Sequence, residues 1–351
     1  MSPLTIRCDI FCAVIDNFGD VGVCWRLAQQ LSDEAGWQVR LLIDDASALD
    51  WLATPEQRAV VTVSDFHSAK YDGVEVIIEA FACEIPATFQ ASMAASVVPP
   101  VWLNLEYLSA ELWVAKSHGL ASKHPRLPLT KYFFFPGFDA ASGGLIRERD
   151  YDQRRNNFDA TTFRQRHGLP VATQNELLVS LFSYPNAPRD ALFAAWSASP
   201  TPILAMLPGE SAAPWQRGNL RVHPLPWLSQ LEYDELLWQC DVNFVRGEDT
   251  FVRAQWAGKP MVWQIYPQES AAHMLKLASF LSRYSPVGAD DTPSRHLTMA
   301  WNGQGKLDWP SYAEQLPALN EHAKRWADSL RQHPDLVTNL VNFCLARRKI
   351  G

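Results

Sequence analysis

Ile10-Phe11-Cys12-Ala13-Val14-Ile15-Asp16-Asn17-Phe18-Gly19-Asp20-Val21-Gly22-Val23-Cys24-Trp25-Arg26-Leu27 is the stretch that decides the fold class. Ile6 to Ile15 reads as a buried strand, because Ile10, Phe11, Cys12, Val14 and Ile15 make a dense apolar run. It ends in Asp16-Asn17-Phe18-Gly19-Asp20, a turn signal. From Val21 to Ala35 apolar residues recur at helical spacing (Val23, Leu27, Leu31), and Gly36 follows as the C-cap. Trp37 to Ile43 is a second strand, ending in Asp44-Asp45. Strand, turn, helix and strand in that order open a parallel α/β sheet.

The pattern continues outward from there. Val74 to Ile78 is a strand running into Glu79-Ala80-Phe81-Ala82-Cys83, Val101 to Leu105 is another running into Glu106-Tyr107, and Lys131 to Phe135 is a short aromatic strand. Residues 139–168 change character: Ser142-Gly143-Gly144 precedes a run of charges, which reads as the passage between domains. A second α/β series follows, with strands at Leu177–Phe182, Ile203–Leu207, Val242–Val245 and Pro260–Gln264. Helices are expected at Leu231–Cys240, Phe251–Ala257, Glu269–Tyr284 and over 313–349. Two such series suggest two Rossmann-like domains facing across a cleft, 1–160 and 161–334, with ligands at the carboxyl ends of the strands.

Composition narrows the function classes. With 351 residues, two domains are expected rather than one, and a 47% hydrophobic content excludes wholesale disorder. No stretch approaches the roughly 18 consecutive apolar residues of a membrane span, and Arg7 and Asp9 interrupt any N-terminal signal core, so a cytoplasmic protein is expected. A net charge of −7 argues against nucleic acid as partner but leaves room for a small anionic ligand. The six cysteines, at 8, 12, 24, 83, 240 and 344, form no CxxC pair and read as buried thiols. No histidine pair has metal-site spacing, and no metal or resident cofactor is expected. Asp150-Tyr151-Asp152 has a metal-binding DxD form but lies in the charged connector. The 14 tryptophans are expected to be mostly core.

Four constellations follow strands and could carry chemistry. Asp16-Asn17-Phe18-Gly19-Asp20 lacks the GxGxxG glycines of a dinucleotide fold and carries two carboxylates that would repel phosphate, which disfavours a dehydrogenase. Two carboxylates four residues apart at a helix start can instead converge on a cationic or hydroxyl-bearing acceptor; the competing reading is helix capping. Asn17, Phe18 and Gly19 would line that acceptor or sugar site. Arg246-Gly247-Glu248-Asp249-Thr250-Phe251 joins a strand to a helix N-terminus that suits phosphate, or is an ordinary capped turn. At Tyr266-Pro267-Gln268-Glu269-Ser270, the amides of Gln268, Glu269 and Ser270 could hold a diphosphate, and Glu269 could hold sugar hydroxyls. Phe182-Ser183-Tyr184 offers rings that could stack on a base or pack in the core.

The run Val14-Ile15-Asp16-Asn17-Phe18-Gly19-Asp20-Val21-Gly22 to Ala28 resembles the N-terminal signature of EarP, the elongation factor P arginine rhamnosyltransferase family. Ile78-Glu79-Ala80-Phe81-Ala82-Cys83, Leu105-Glu106-Tyr107-Leu108-Ser109, Ser142-Gly143-Gly144-Leu145-Ile146-Arg147-Glu148-Arg149, Arg246 through Pro260 and Ile265-Tyr266-Pro267-Gln268-Glu269 extend the likeness over nearly the whole chain. The resemblance implies a GT-B fold, with an acceptor-binding first domain, a nucleotide-sugar-binding second domain, and a last helix, about 335–351, packing back on the first. It implies inverting, metal-independent transfer of L-rhamnose from dTDP-β-L-rhamnose to an arginine of translation elongation factor P. By the same match Asp16 and Asp20 are the acidic pair at the acceptor and Glu269 is the third essential acid. Phe182, Tyr184, Phe251 and Gln255 fall where the family grips the nucleotide. Ser270 stands where the family often has a second acid, and Pro185 where a polar residue is expected.

Arginine is a poor nucleophile because its guanidinium stays protonated. Flanking carboxylates can orient one nitrogen and accept its proton as the C–N bond forms. Asp20 is read as the base and Asp16 as the orienting group, with the reverse assignment open. The rival readings are a GT-B enzyme with another nucleotide sugar or acceptor, and a non-catalytic protein-binding module. No membrane or nucleic-acid partner is expected.

Overall fold

The structure is a computed structural model in which residues 5–16, 18–268, 272–285 and 291–348 are described. The chain divides into two compact units, Met1–Arg149 with Leu330–Gly351, and Asp150–Ser329.

In the first unit β1 (Arg7–Cys12) is followed by α1 (Gly19–Ala35), β2 (Gln38–Ile43), α2 (Leu49–Leu52), α3 (Pro55–Arg58), β3 (Thr62–Asp65), β4 (Val76–Ala80), α4 (Ala87–Ala94), β5 (Val101–Leu105), α5 (Val114–Ser117), β6 (Ala121–Lys123) and β7 (Thr130–Phe134). Among the described residues these strands form one sheet in the order β3-β2-β1-β4-β5-β7-β6. It is parallel except at the β6–β7 edge. β1, β4 and β5 are apolar runs because helices cover both faces of a parallel sheet. Helix α1 stops where Gly36 turns left-handed (φ 68°) and its N–H caps the Leu31 carbonyl.

The second unit opens with α6 (Tyr151–Asn156) and α7 (Ala160–Arg166). It continues through β8 (Leu177–Leu181), α8 (Arg189–Ser197), β9 (Ile203–Pro208), β10 (Trp215–Arg217), β11 (Leu220–Leu225), α9 (Gln230–Gln239) and β12 (Val242–Arg246). Then come α10 (Asp249–Ala257), β13 (Met261–Gln264), α11 (Ala272–Tyr284), α12 (Pro293–Trp301), α13 (Trp309–Glu314) and α14 (Leu316–Arg331). Its strand order is β10-β11-β9-β8-β12-β13, antiparallel only at β10. The core beside this sheet is rich in rings: Trp196, Trp301 and Trp309 gather around Phe244. The last helix, α15 (Leu336–Arg348), belongs to the first unit. It is tied there by Leu336 N–H donating to the Leu145 carbonyl and by Gln30 of α1 donating to Asp335.

Counted within each unit, the parallel strands run 3-2-1-4-5-6 in the first and 3-2-1-4-5 in the second, the doubly wound order of Rossmann folds. The order reverses between β1 and β4 in the first unit and between β8 and β12 in the second. Ligands of such sheets bind outside the carboxyl ends of the strands at that reversal.

The sequence reading differs from the structure at several places. Residues 150–160 belong to the second unit, because Tyr151 is fully buried there, accepting a hydrogen bond from Trp238 Nε1 at 2.7 Å beneath the Arg253 guanidinium. The charged connector is therefore partly helical, and Asp150 pairs with Arg154 across one turn of α6. β3, β6 and β10 have no buried residue to mark them as strands, and β11 buries Leu220, Val222 and Leu225 but alternates with polar positions and holds Pro224. The expected helix over 313–349 is three helices. All six cysteines are free thiols, five buried and Cys83 partly so. Burial pushes the Cys83 thiol up to about 12, which makes it a poor nucleophile.

Candidate active site

One candidate site lies at the β1/β4 reversal of the first unit. Beyond Cys12 the chain turns over Asp16 and enters α1 at Gly19, whose N–H donates to the Asp16 carbonyl at 2.6 Å. Asp20, in the first turn of α1, is 2% exposed. Its Oδ2 accepts from the N–H groups of Ile15 and Asp16, both at 2.9 Å, and its Oδ1 accepts from the Tyr107 hydroxyl at 3.1 Å. The carboxylate thus reaches back to its own turn and across to the segment after β5. It does not act as an N-cap: that place is taken by Phe18, with no side-chain cap.

Asp16 is half-buried, and its carboxylate lies over the bare Cα of Gly19. A Cβ at position 19 would come within 2.5 Å of Asp16 Oδ2, so the glycine makes room for the acid. Phe18 stands edge-on to Trp51 at 5.0 Å. Asn17, read as lining the acceptor site, lies outside the described residues. The pair Asp16 and Asp20 are therefore together at one mouth, one buried and clamped, one accessible.

A second candidate site lies at the β8/β12 reversal of the second unit. Phe182 and Tyr184 follow β8, and Arg246 ends β12. The Arg246 guanidinium lies 4.1 Å from the Phe182 ring centroid and 4.8 Å from that of Tyr184. It also donates to the Ser183 carbonyl at 3.0 Å. A cation gripped by two aromatic faces is held electrostatically by the ring quadrupoles. Tyr184 is pinned further by its N–H, which donates to Gln264 Oε1 at 2.7 Å. Trp227, 38% exposed, stands edge-on to Phe182 and covers Gly209, where a Cβ would come within 2.8 Å of that ring.

Phe251 and Gln255 point inward from α10. Phe251 is fully buried, stacked on Trp263 at 3.8 Å and met edge-on by Phe280. Gln255 accepts from Trp326 Nε1 at 2.8 Å. An indole only donates, so this bond assigns the amide oxygen to Trp326. The buried Nε2 has no partner among the described residues. Gln268 N–H donates to His273 Nδ1 at 3.1 Å. Glu269 and Ser270 lie outside the described residues.

Tyr107 and Arg246 were not singled out by the sequence reading. Both stood in quoted motifs at strand ends, but nothing in their spacing shows which acid or ring they meet. Among the described residues, no group of three or more His, Cys, Asp or Glu side chains is placed to hold a metal ion. Nor, among them, is any helix long and apolar enough to cross a membrane.

Comparison with known proteins decides what these two sites belong to. Residues 8–345 match the profile of the family described as elongation factor P (EF-P) rhamnosyltransferase EarP. The chain belongs to the EarP family. It is 41% identical to the protein-arginine rhamnosyltransferase of Pseudomonas aeruginosa, covering 95% of this chain and 98% of that protein. It is 42% identical to the enzyme of the same name from Pseudomonas putida, covering 95% and 97%. Among solved structures it resembles one that gives the structural basis for EarP-mediated arginine glycosylation of translation elongation factor EF-P. That match has TM-score 0.65 and 31% identity, and covers 96% of this chain and 98% of the other. The glycosyltransferase VinC in complex with dTDP, at TM-score 0.54 and 11% identity over 98% of this chain and all of that one, shares the fold alone. The chain is thus a GT-B glycosyltransferase of the EarP family, a protein-arginine rhamnosyltransferase by kinship.

Proposed function

We propose that this protein transfers L-rhamnose from dTDP-β-L-rhamnose to an arginine side chain of translation elongation factor P, with inversion at the anomeric carbon. The observation that carries the reading is the Asp16/Asp20 pair at the mouth of the first sheet, within a family match running from residue 8 to 345. One guanidinium nitrogen attacks the anomeric carbon from the face opposite dTDP. The C–N bond forms as the C–O bond to the diphosphate breaks, and the nitrogen's proton passes to Asp20. A β donor then gives an α product. Asp16, half-buried beside it, orients the guanidinium through its remaining N–H groups.

Departure of dTDP leaves negative charge on the diphosphate. Arg246, braced by Phe182 and Tyr184, is a fixed cation suited to that charge; the amides of Glu269 and Ser270 are assigned to it as hydrogen-bond donors, while that of Gln268 is engaged by His273. Glu269 is assigned to hydroxyls of the sugar or ribose, and Gln255 offers a buried amide donor to the nucleotide. No metal step is needed in this scheme.

Intact-mass analysis of elongation factor P incubated with enzyme and dTDP-β-L-rhamnose tests the reading. A gain of one deoxyhexose is expected, undiminished in excess EDTA. Loss of turnover restored by magnesium removes the metal-independent part. Asp20→Asn should lower the rate by about 10²–10⁴-fold, the usual worth of a general base. Undiminished transfer by that variant sinks the base assignment. If no acceptor mass change occurs with any nucleotide sugar and dTDP gives no thermal shift, the protein is a binding module instead.

A further inference from the structure

An ionised carboxylate offers about four acceptor positions, two on each oxygen. In Asp20 both positions of Oδ2 are used by the Ile15 and Asp16 amides, and one of Oδ1 is used by the Tyr107 hydroxyl. Among the described residues nothing donates to the fourth. Tyr107 therefore decides which lone pair of Oδ1 stays available.

Tyr107 is itself braced. The Phe81 ring lies flat against it, with centroids 4.2 Å apart and an interplanar angle of 12°. Phe81 reaches that position through unusual backbone: Phe81 and Ala82, at the end of β4, have φ of 57° and 55°. Left-handed backbone at residues bearing a side chain is strained and persists only where the surroundings enforce it. Here they do. Phe81 N–H donates to the Leu105 carbonyl at 2.7 Å, and Ala82 N–H donates to the buried Asn104 Oδ1 at 3.1 Å. Two neighbouring strand ends thus hold a strained turn whose visible product is one ring supporting another, with the second ring's hydroxyl on the acid.

We propose that Tyr107 is a positioning residue for the base: backed by Phe81, it fixes the rotation of the Asp20 carboxylate and leaves a single Oδ1 lone pair to receive one N–H of the acceptor guanidinium. The proposal rests on Asp20 being the base. It adds a specificity consequence. With one position open, Asp20 cannot grip the guanidinium with both oxygens in the fork geometry that a free carboxylate prefers. One nitrogen is selected, and Asp16 is left to take the others.

The test uses the full-length enzyme with elongation factor P and dTDP-β-L-rhamnose. Tyr107→Phe keeps the stacked ring and removes only the hydroxyl. Its kcat is expected to fall on the order of tenfold, the weight of one hydrogen bond to a charged group. KM for both substrates should stay within about twofold and the melting temperature unchanged, a split that a merely structural residue would not give. Phe81→Leu, which removes the flat support while keeping an apolar side chain, is expected to lower kcat in the same direction. In the double variant Asp20→Asn/Tyr107→Phe the rate should match that of Asp20→Asn alone, because in this proposal the hydroxyl acts through that carboxylate. Full kcat in Tyr107→Phe beside an impaired Asp20→Asn overturns the proposal and leaves the base reading standing. So do multiplicative losses in the double variant. Full kcat in Asp20→Asn removes the base reading and this proposal with it.

Discussion

At the scale of single residues, the site depends on one missing side chain as much as on two carboxylates. Gly19 begins α1, and a Cβ there would sit 2.5 Å from Asp16 Oδ2. Alanine is a better helix former than glycine by roughly 0.5–1 kcal/mol. Gly19→Ala should therefore hold or raise the melting temperature while displacing the Asp16 carboxylate and cutting kcat by about tenfold or more. Thermal shift and steady-state kinetics on the same sample check both halves; unchanged kcat means the acid has room to move. The acids themselves were legible in the sequence, because a carboxylate pair in the turn after a buried strand is a local pattern. Tyr107 was not: it meets Asp20 from 87 positions away, and only the sheet order, with β4 between β1 and β5, brings the segment after β5 within reach of the start of α1.

At the scale of elements, legibility followed burial. β1, β4, β5, β8 and β9 are buried almost throughout and stand out as apolar runs. The edge strand β3 is mostly exposed and polar and gives no such run. Helix α10 shows the opposite difficulty, since spacing places residues on one face without saying what covers it. Phe251 and Gln255, four apart, share the inner face, and Phe251 lies flat on Trp263 with no exposed surface. A base reaching that ring would first have to displace the indole. Phe251→Ala is expected to destabilise the second unit by about 3–5 kcal/mol, the cost of emptying a buried phenylalanine site. Denaturant unfolding followed by far-ultraviolet circular dichroism reads this out. Unchanged stability with lost dTDP affinity would instead place Phe251 at the nucleotide.

Across the whole molecule, the two units carry different responses to acid. Burial is the first cause that lowers the affinity of His118, His167, His223, His273 and His322 for a proton, and of these five only His118 lies in the first unit. The unfolded chain therefore takes up protons as pH falls through about 6.5, while the folded chain lags behind. Stability falls with pH across that window, and the loss is complete once the folded imidazoles have also titrated. In the first unit Asp9 works the other way at lower pH: burial, partly offset by Arg40, raises its carboxyl above the ordinary value, so the folded state takes up that proton before the unfolded one. Each difference has the sign that spares the first unit. Between about pH 7.5 and 5.5, hydrogen exchange corrected for its intrinsic pH dependence should show amides of β8, β9 and β12 losing protection more steeply than those of β1, β4 and β5. His322, whose Nε2 meets the Tyr284 carbonyl at 2.6 Å, gives the sharper check, since His322→Gln can keep a donor there while removing the titration. That variant should flatten the acid response of the second unit without altering that of the first. An equal loss of protection in both units would show that the acid response comes from groups other than these histidines, and no change of slope in the variant would exclude His322 as its source.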